Sequence, residues 1–301
     1  MTSRGGRRLV LGCGSVAALV LGYTLLSNAG QFVDPETLPG PLTRLLRPDL
    51  LPPTQTILSA LVSLVTGQLP AMEGHHTHSS NHVGHLVEQH VTLQGALLVS
   101  VLRVLFGVAV GGPLGIVAGI VMGWSRKMDD YLHPIYVVLR SIPPLAMITY
   151  VMLWLGHGEA HLLIPIVYAV FTTVVIPTYH GVRDLAEVYV RAARSLGAGG
   201  WLLFARVVLP AASPAVLFAL RYSLIVAWMT TVGVEMLMAE AGIGHLLVGG
   251  GLWSSRLQIG VDPAVVIVAI LGLAATGYLM DTAARIVTDR VTFWAGRRRA
   301  W

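Results

Sequence analysis

The sequence predicts an all-α, polytopic membrane protein, a bundle of about six transmembrane helices, and three observations carry that prediction. First, 54% of the 301 residues are hydrophobic, only 12% are charged, and the mean hydropathy is +0.71. Soluble domains carry about 25% charged residues. Second, the apolar residues gather into six segments, each long enough to cross a hydrocarbon core. Third, the arginines collect at the ends of those segments. The formal charge of +5 and the pI near 9.7 therefore describe membrane topology, not a nucleic-acid surface.

The first segment, 9–27, follows Arg4, Arg7 and Arg8. It is long for the apolar region of a signal peptide, although the small residues Ser27-Asn28-Ala29 follow it. It reads as an uncleaved helix, residues 1–28. It holds Cys13, the single cysteine, which excludes an intrachain disulfide or a cysteine metal cage. Residues 29–93 form a large outer segment that opens with six prolines between Pro35 and Pro53. An amphipathic helix follows, Thr54 to Thr66, with Ile57, Leu58, Leu61, Leu64 and Val65 at helical spacing. The core, 94–286, holds five further spans at 94–122, 133–155, 162–181, 214–237 and 263–286, and a basic tail fills 287–301.

Orientation follows from the short loops. Arg126 and Lys127 follow the second span, and Arg183, Arg191, Arg194 and Arg206 lie between the fourth and fifth. The other side holds only Arg44, Arg47 and Arg256. Both termini and the loop 182–212 are thus expected in the cytoplasm.

That loop reads V-R-A-A-R-S-L-G-A-G-G-W-L-L-F-A-R-V-V-L-P from Val190 to Pro210. Residues 186–196 predict a helix, and Gly197, with Gly199 and Gly200, a sharp turn. Trp201 to Val208, including Phe204, predict a short helix that Pro210 cannot continue. The spacing Arg191-Ala192-Ala193-x3-Gly197-x9-Val207-x-Leu209-Pro210 resembles the cytoplasmic EAA loop of ABC-importer permeases. Arg191 stands where the glutamate is usual, and Val207 replaces isoleucine. Over about residues 50–295 the chain is similar to permeases of the taurine, aliphatic-sulfonate and nitrate importer group. The matching blocks include S-V-L-R-V-L-F-G-V-A-V-G-G-P-L-G, L-R-S-I-P-P-L-A and A-W-M-T-T-V-G-V-E-M-L.

The resemblance implies a type I, MetI-like permease bundle that is not itself an enzyme. It implies a cytoplasmic ABC ATPase, a periplasmic or lipid-anchored substrate-binding protein and a second permease copy as partners. No cofactor is implied in this chain, since ATP and magnesium would be bound by the partner ATPase. In agreement, the chain lacks the phosphate-binding G-x-x-x-x-G-K-[ST] pattern. A secondary transporter would instead predict paired intramembrane charges or inverted repeats, and the sequence displays neither.

Several residues invite specific roles. The glycines at 107, 111, 115, 119 and 123 make a smooth stripe on the second span for close helix approach. Pro143 and Pro144 open the third span, which suggests a break facing the translocation path. Arg140, one turn earlier, suits either an anionic solute or a gate, or else snorkels to the surface. Arg221 reads as a snorkeller, and Arg103, deep in its span, as facing a carbonyl or the bundle interior. Glu235 and Glu240 fit a gate, a cation site or a structural hydrogen bond at the rim. The outer segment carries His75, His76, His78, His82, His85 and His90, six of the eleven histidines. That density fits either loose binding of zinc, nickel or copper or a solvated low-complexity loop. A metal-capturing lip would make a metal ion or complex the cargo in place of a sulfonate, taurine or nitrate.

Overall fold

The computed structural model describes residues 21–25, 27, 52–66, 92–156, 158–185, 187–239, 241–248 and 263–292. The histidine tract lies outside them, as do most of the first predicted span and most of the basic tail. The chain divides into two compact units, residues 1–93 with 258–271, and 94–257 with 272–301. No strand occurs among the described residues.

In the first unit, residues 21–25 and 27 are helical, and α1 spans Thr54–Thr66 as the apolar spacing predicts. The Tyr23 hydroxyl donates to the Pro52 carbonyl at 2.9 Å, fixing the chain just before α1.

The second unit is built from α2 (Leu93–Trp124), α3 (Arg126–Arg140), α4 (Met147–Leu155) and α5 (Glu159–Arg183). The short helices α6 (Glu187–Ser195) and α7 (Gly200–Leu203) lead into α8 (Leu209–Met238). Then come α9 (Ile243–Leu247) and α10 (Pro263–Val291), whose first turns belong to the other unit. Helices α2 and α10, residues His161–Arg183 of α5, and the run Gly200–Met238 are each long and apolar enough to cross a membrane.

The glycine stripe explains how α2 seats on α5. The two helices run parallel in constant register, Gly107 over Ile166, Gly111 over Val170, Gly115 over Val174, Gly119 over Thr178 and Gly123 over Val182. A Cβ at Gly111 would lie 2.5 Å from the Val167 carbonyl oxygen, and one at Gly119 2.6 Å from that of Val175. Only glycine permits this approach, and the gain is backbone-to-side-chain packing along five turns. Val104, Ile166, Val170 and Val174 then join Ala219, Ala227 and Trp228 of α8 in the central core.

The third predicted span departs from expectation. It is not one continuous helix over 133–155 but two, Arg126–Arg140 and Pro144–Leu155, bent by 73°. Pro143 cannot donate to the Leu139 carbonyl, so that carbonyl instead accepts from the Ile142 N–H at 3.0 Å and from the Tyr168 hydroxyl. Pro143 is extended (φ −63°, ψ 131°), and Pro144 starts a one-turn 3-10 helix. The prolines were legible as a break. The size of the bend was not.

Candidate functional site

The loop between α5 and α8 forms the predicted helix–turn–helix. α6 ends in a Schellman turn, with the Ala198 N–H donating to the Ala193 carbonyl and the Gly197 N–H to that of Arg194, both at 3.0 Å. Gly197 has φ +81°, a left-handed conformation, and open space around it. Gly199 caps α7, and Gly200 is its first residue. Phe204 and Val208 anchor the loop: Val208 is buried with Val182 and Ala212, and the Phe204 ring meets Trp124 edge-on at 5.1 Å. With these turned inward, Leu196 (89% exposed) and Trp201 (78%) project outward beside the exposed Arg191 and Ala192. Ala193 and Val207 are half-buried, and Leu209 is exposed. The result is a rigid knob with an apolar tip.

One expectation here is corrected. Pro210 does not end the short helix. Phe204–Val208 form a π-helical turn, and the Leu209 N–H bonds to the Phe204 carbonyl five residues back. The wider turn draws the backbone away from the place where the proline ring would clash, so the helix runs on through Pro210 to Met238.

At the far end of α8 stands a charge cluster. Glu235 is wholly buried (side chain 0% exposed), and Arg103 nearly so (5%). The Arg103 Nη1 donates to Glu235 Oε1 and to the Ala241 carbonyl, each at 2.7 Å. Its Nε and Nη2 donate to the Glu159 carboxylate at 3.0 and 2.7 Å. Ser100 Oγ donates to Glu235, and the Gly244 N–H donates to the same carboxylate at 3.0 Å. The Ile243 N–H in turn donates to Ser100 Oγ at 2.9 Å. Glu235 therefore fastens α2, α8 and the first turn of α9 together. Outside the spanning segments, the Glu159 carboxyl is held below the usual carboxylate range, chiefly by its hydrogen bonds from Arg103.

Arg221 does not snorkel. It makes a bidentate pair with Asp281 of α10, both contacts at 2.8 Å. Arg103 faces the interior and a carbonyl, as its depth in the span suggested, and pairs with two glutamates as well. The paired intramembrane charges that the sequence did not display are thus present, with partners 132 and 60 positions apart.

Arg140 lies in a cleft of about 390 Å³ between α3, α5 and α8, beside Tyr136, Thr172, Thr173, Pro177 and Tyr222. Pro143 and Pro144 stand at the bend beyond it, and Glu235 is not among the lining residues. Glu240 lies outside the described residues.

The chain belongs to the family of binding-protein-dependent transport system inner membrane components, whose model matches residues 111–293. It is a multi-pass inner membrane permease of the ABC-importer type. Permeases of this type are not themselves enzymes. It is 33% identical to a probable ABC transporter permease of Brucella abortus (strain 2308) over 205 residues, 68% of this chain and 79% of that one. It is 30% identical to the taurine transport system permease of Escherichia coli (strain K12) over 253 residues, 84% and 83% of the two chains. The putative aliphatic sulfonates permease of the same strain is 34% identical over 191 residues, 64% of this chain and 70% of that one. In fold, the chain is similar to the inward facing MetNI methionine ABC transporter, with TM-score 0.52 and 18% identity, covering 70% of this chain and 99% of that one.

Proposed function

We propose that this chain is the membrane subunit of an ATP-driven importer for a small oxyanion of the sulfonate, taurine or nitrate kind. A substrate-binding protein delivers the solute from outside. Two permease copies form the pathway, and each rests on a cytoplasmic ATPase that holds ATP and magnesium. Both termini face the cytoplasm. The observation that carries this reading is the outward knob of α6 and α7, with the exposed Leu196 and Trp201 at its tip. The names of the relatives above support the substrate class. In the transport cycle, closure of the ATPase pair pushes on the knob and rocks α8, opening the pathway alternately to either side.

The test is Gly197→Val. A β-branched residue in a left-handed turn costs about 1–3 kcal/mol of local strain. Since no neighbour crowds Gly197, the helices are expected to insert normally while ATPase co-purification and ATP-dependent uptake of ethanesulfonate or nitrate fall together. Intact co-purification and uptake in that variant would count against the docking role.

A further inference from the structure

We infer that the cleft between α3, α5 and α8 is an oxyanion subsite of the translocation path that reads the anionic headgroup of the solute and does not read an amine. This rests on the importer reading and narrows its substrate class. The argument begins with charge. Arg103, Arg183 and Arg221 each face a carboxylate, Glu235, Asp129 and Asp281 respectively. Arg140 forms no such pair among the described residues, and it lies in the cleft. A cation at membrane depth without a counter-charge is expensive unless water or a ligand meets it. The cleft supplies the space.

The remaining lining sets the chemistry. The Thr172 and Thr173 hydroxyls donate one turn back, to the Tyr168 and Ala169 carbonyls at 3.0 and 2.7 Å. The Tyr136 hydroxyl donates to the Thr172 carbonyl at 2.5 Å. What remains for a solute is Arg140, whose side chain also hydrogen-bonds Tyr136, together with Tyr222 and an apolar wall on which the Phe218 and Tyr222 rings lie parallel. That combination suits a compact anionic head with a short apolar tail. Among the described residues, no carboxylate lines the cleft to receive an ammonium group. Taurine and ethanesulfonate would thus be equivalent at this cleft, and any reading of the amine falls outside it.

The test places a cysteine in the cleft, Thr173→Cys with Cys13→Ser, in the full chain in membrane vesicles with its ATPase. Labelling by 2-sulfonatoethyl methanethiosulfonate is compared with labelling by the 2-(trimethylammonio)ethyl reagent, each normalised to a free thiol. The anionic reagent is expected to react about tenfold faster, with the preference lost in Arg140→Gln and kept in Arg140→Lys. Ethanesulfonate and taurine are expected to protect the cysteine within about twofold of each other, and ethylammonium not at all. An unchanged preference in Arg140→Gln, no reaction with either reagent, or tenfold better protection by taurine overturns the subsite. Should Arg140→Gln fail to reach the membrane, Tyr222→Phe carries the test. It is expected to weaken ethanesulfonate protection about threefold while leaving the reagent preference, and unchanged protection overturns the proposal. ATPase co-purification is read in the same vesicles. Its absence in the parent chain defeats the importer reading, whereas its presence without an anion preference defeats the subsite alone.

Discussion

Arg103 ties three other segments to α2, through Glu159, Glu235 and the Ala241 carbonyl. Removing one side of a buried pair strands the other charge. Arg103→Met is therefore expected to lower stability by about 3–5 kcal/mol, and Arg103→Met with Glu235→Met to recover much of that loss. Thermal unfolding of the purified permease checks it, and a single variant as stable as the parent refutes the clamp. Glu159 gives the cluster its pH dependence. Its folded-state pKa lies below the ordinary value, so its contribution is complete above about pH 4.5 and is lost as pH falls through the folded value. Thermal stability is expected to stay level on this account from neutrality to about pH 5 and then to decline, with Glu159→Gln removing part of the decline. The effect is small, because the Glu159 side chain is 65% exposed.

Among the elements, the α2–α5 contact makes the strictest demand on sequence. Gly119→Leu would place atoms against the Val175 carbonyl and Thr178 and is expected to cost about 3 kcal/mol or more, lowering the yield of folded permease. Gly199→Ala, where a Cβ meets nothing, is the matched control and is expected to behave as the parent. Thermal stability and membrane yield of the pair decide it. This stripe was legible in the sequence because its repeat is local and periodic. So was the turn at Gly197, which needs only three neighbouring glycines and a change of helical phase. Pro210 misled, because the π turn that accommodates it depends on Phe204 and Val208 finding Trp124 and Val182, contacts made through tertiary packing. The Arg103–Glu235 and Arg221–Asp281 pairs were invisible for a related reason. Helical periodicity says which face a residue takes, and nothing about which distant helix arrives opposite it.

For the whole molecule, the proposed topology places the loop 67–91 outside, with both termini and the knob inside. Ser79→Cys in a Cys13→Ser background is expected to react with an impermeant maleimide in intact cells, and labelling only after permeabilisation reverses the orientation. Deleting 74–90 is expected to leave oxyanion uptake unchanged. Loss of uptake, with ATPase pairing intact, would move metal complexes to the front as cargo. The π turn at Phe204–Val208 has a mechanical consequence for that assembly. Because the helix is carried through Pro210 without a stop, Gly200–Met238 is one 39-residue member. At about 1.5 Å per residue it is nearly 60 Å long. Trp201 stands at one end and the Glu235 clamp near the other. A lever of that length turns a tilt of about 5° at the knob into a shift of some 4–5 Å at the clamp, comparable to one helical turn. A hinge at Pro210 would have absorbed that stroke. Here the proline sits within the beam, so that in the proposed assembly a push on the knob would be carried along the helix toward the Glu235 clamp.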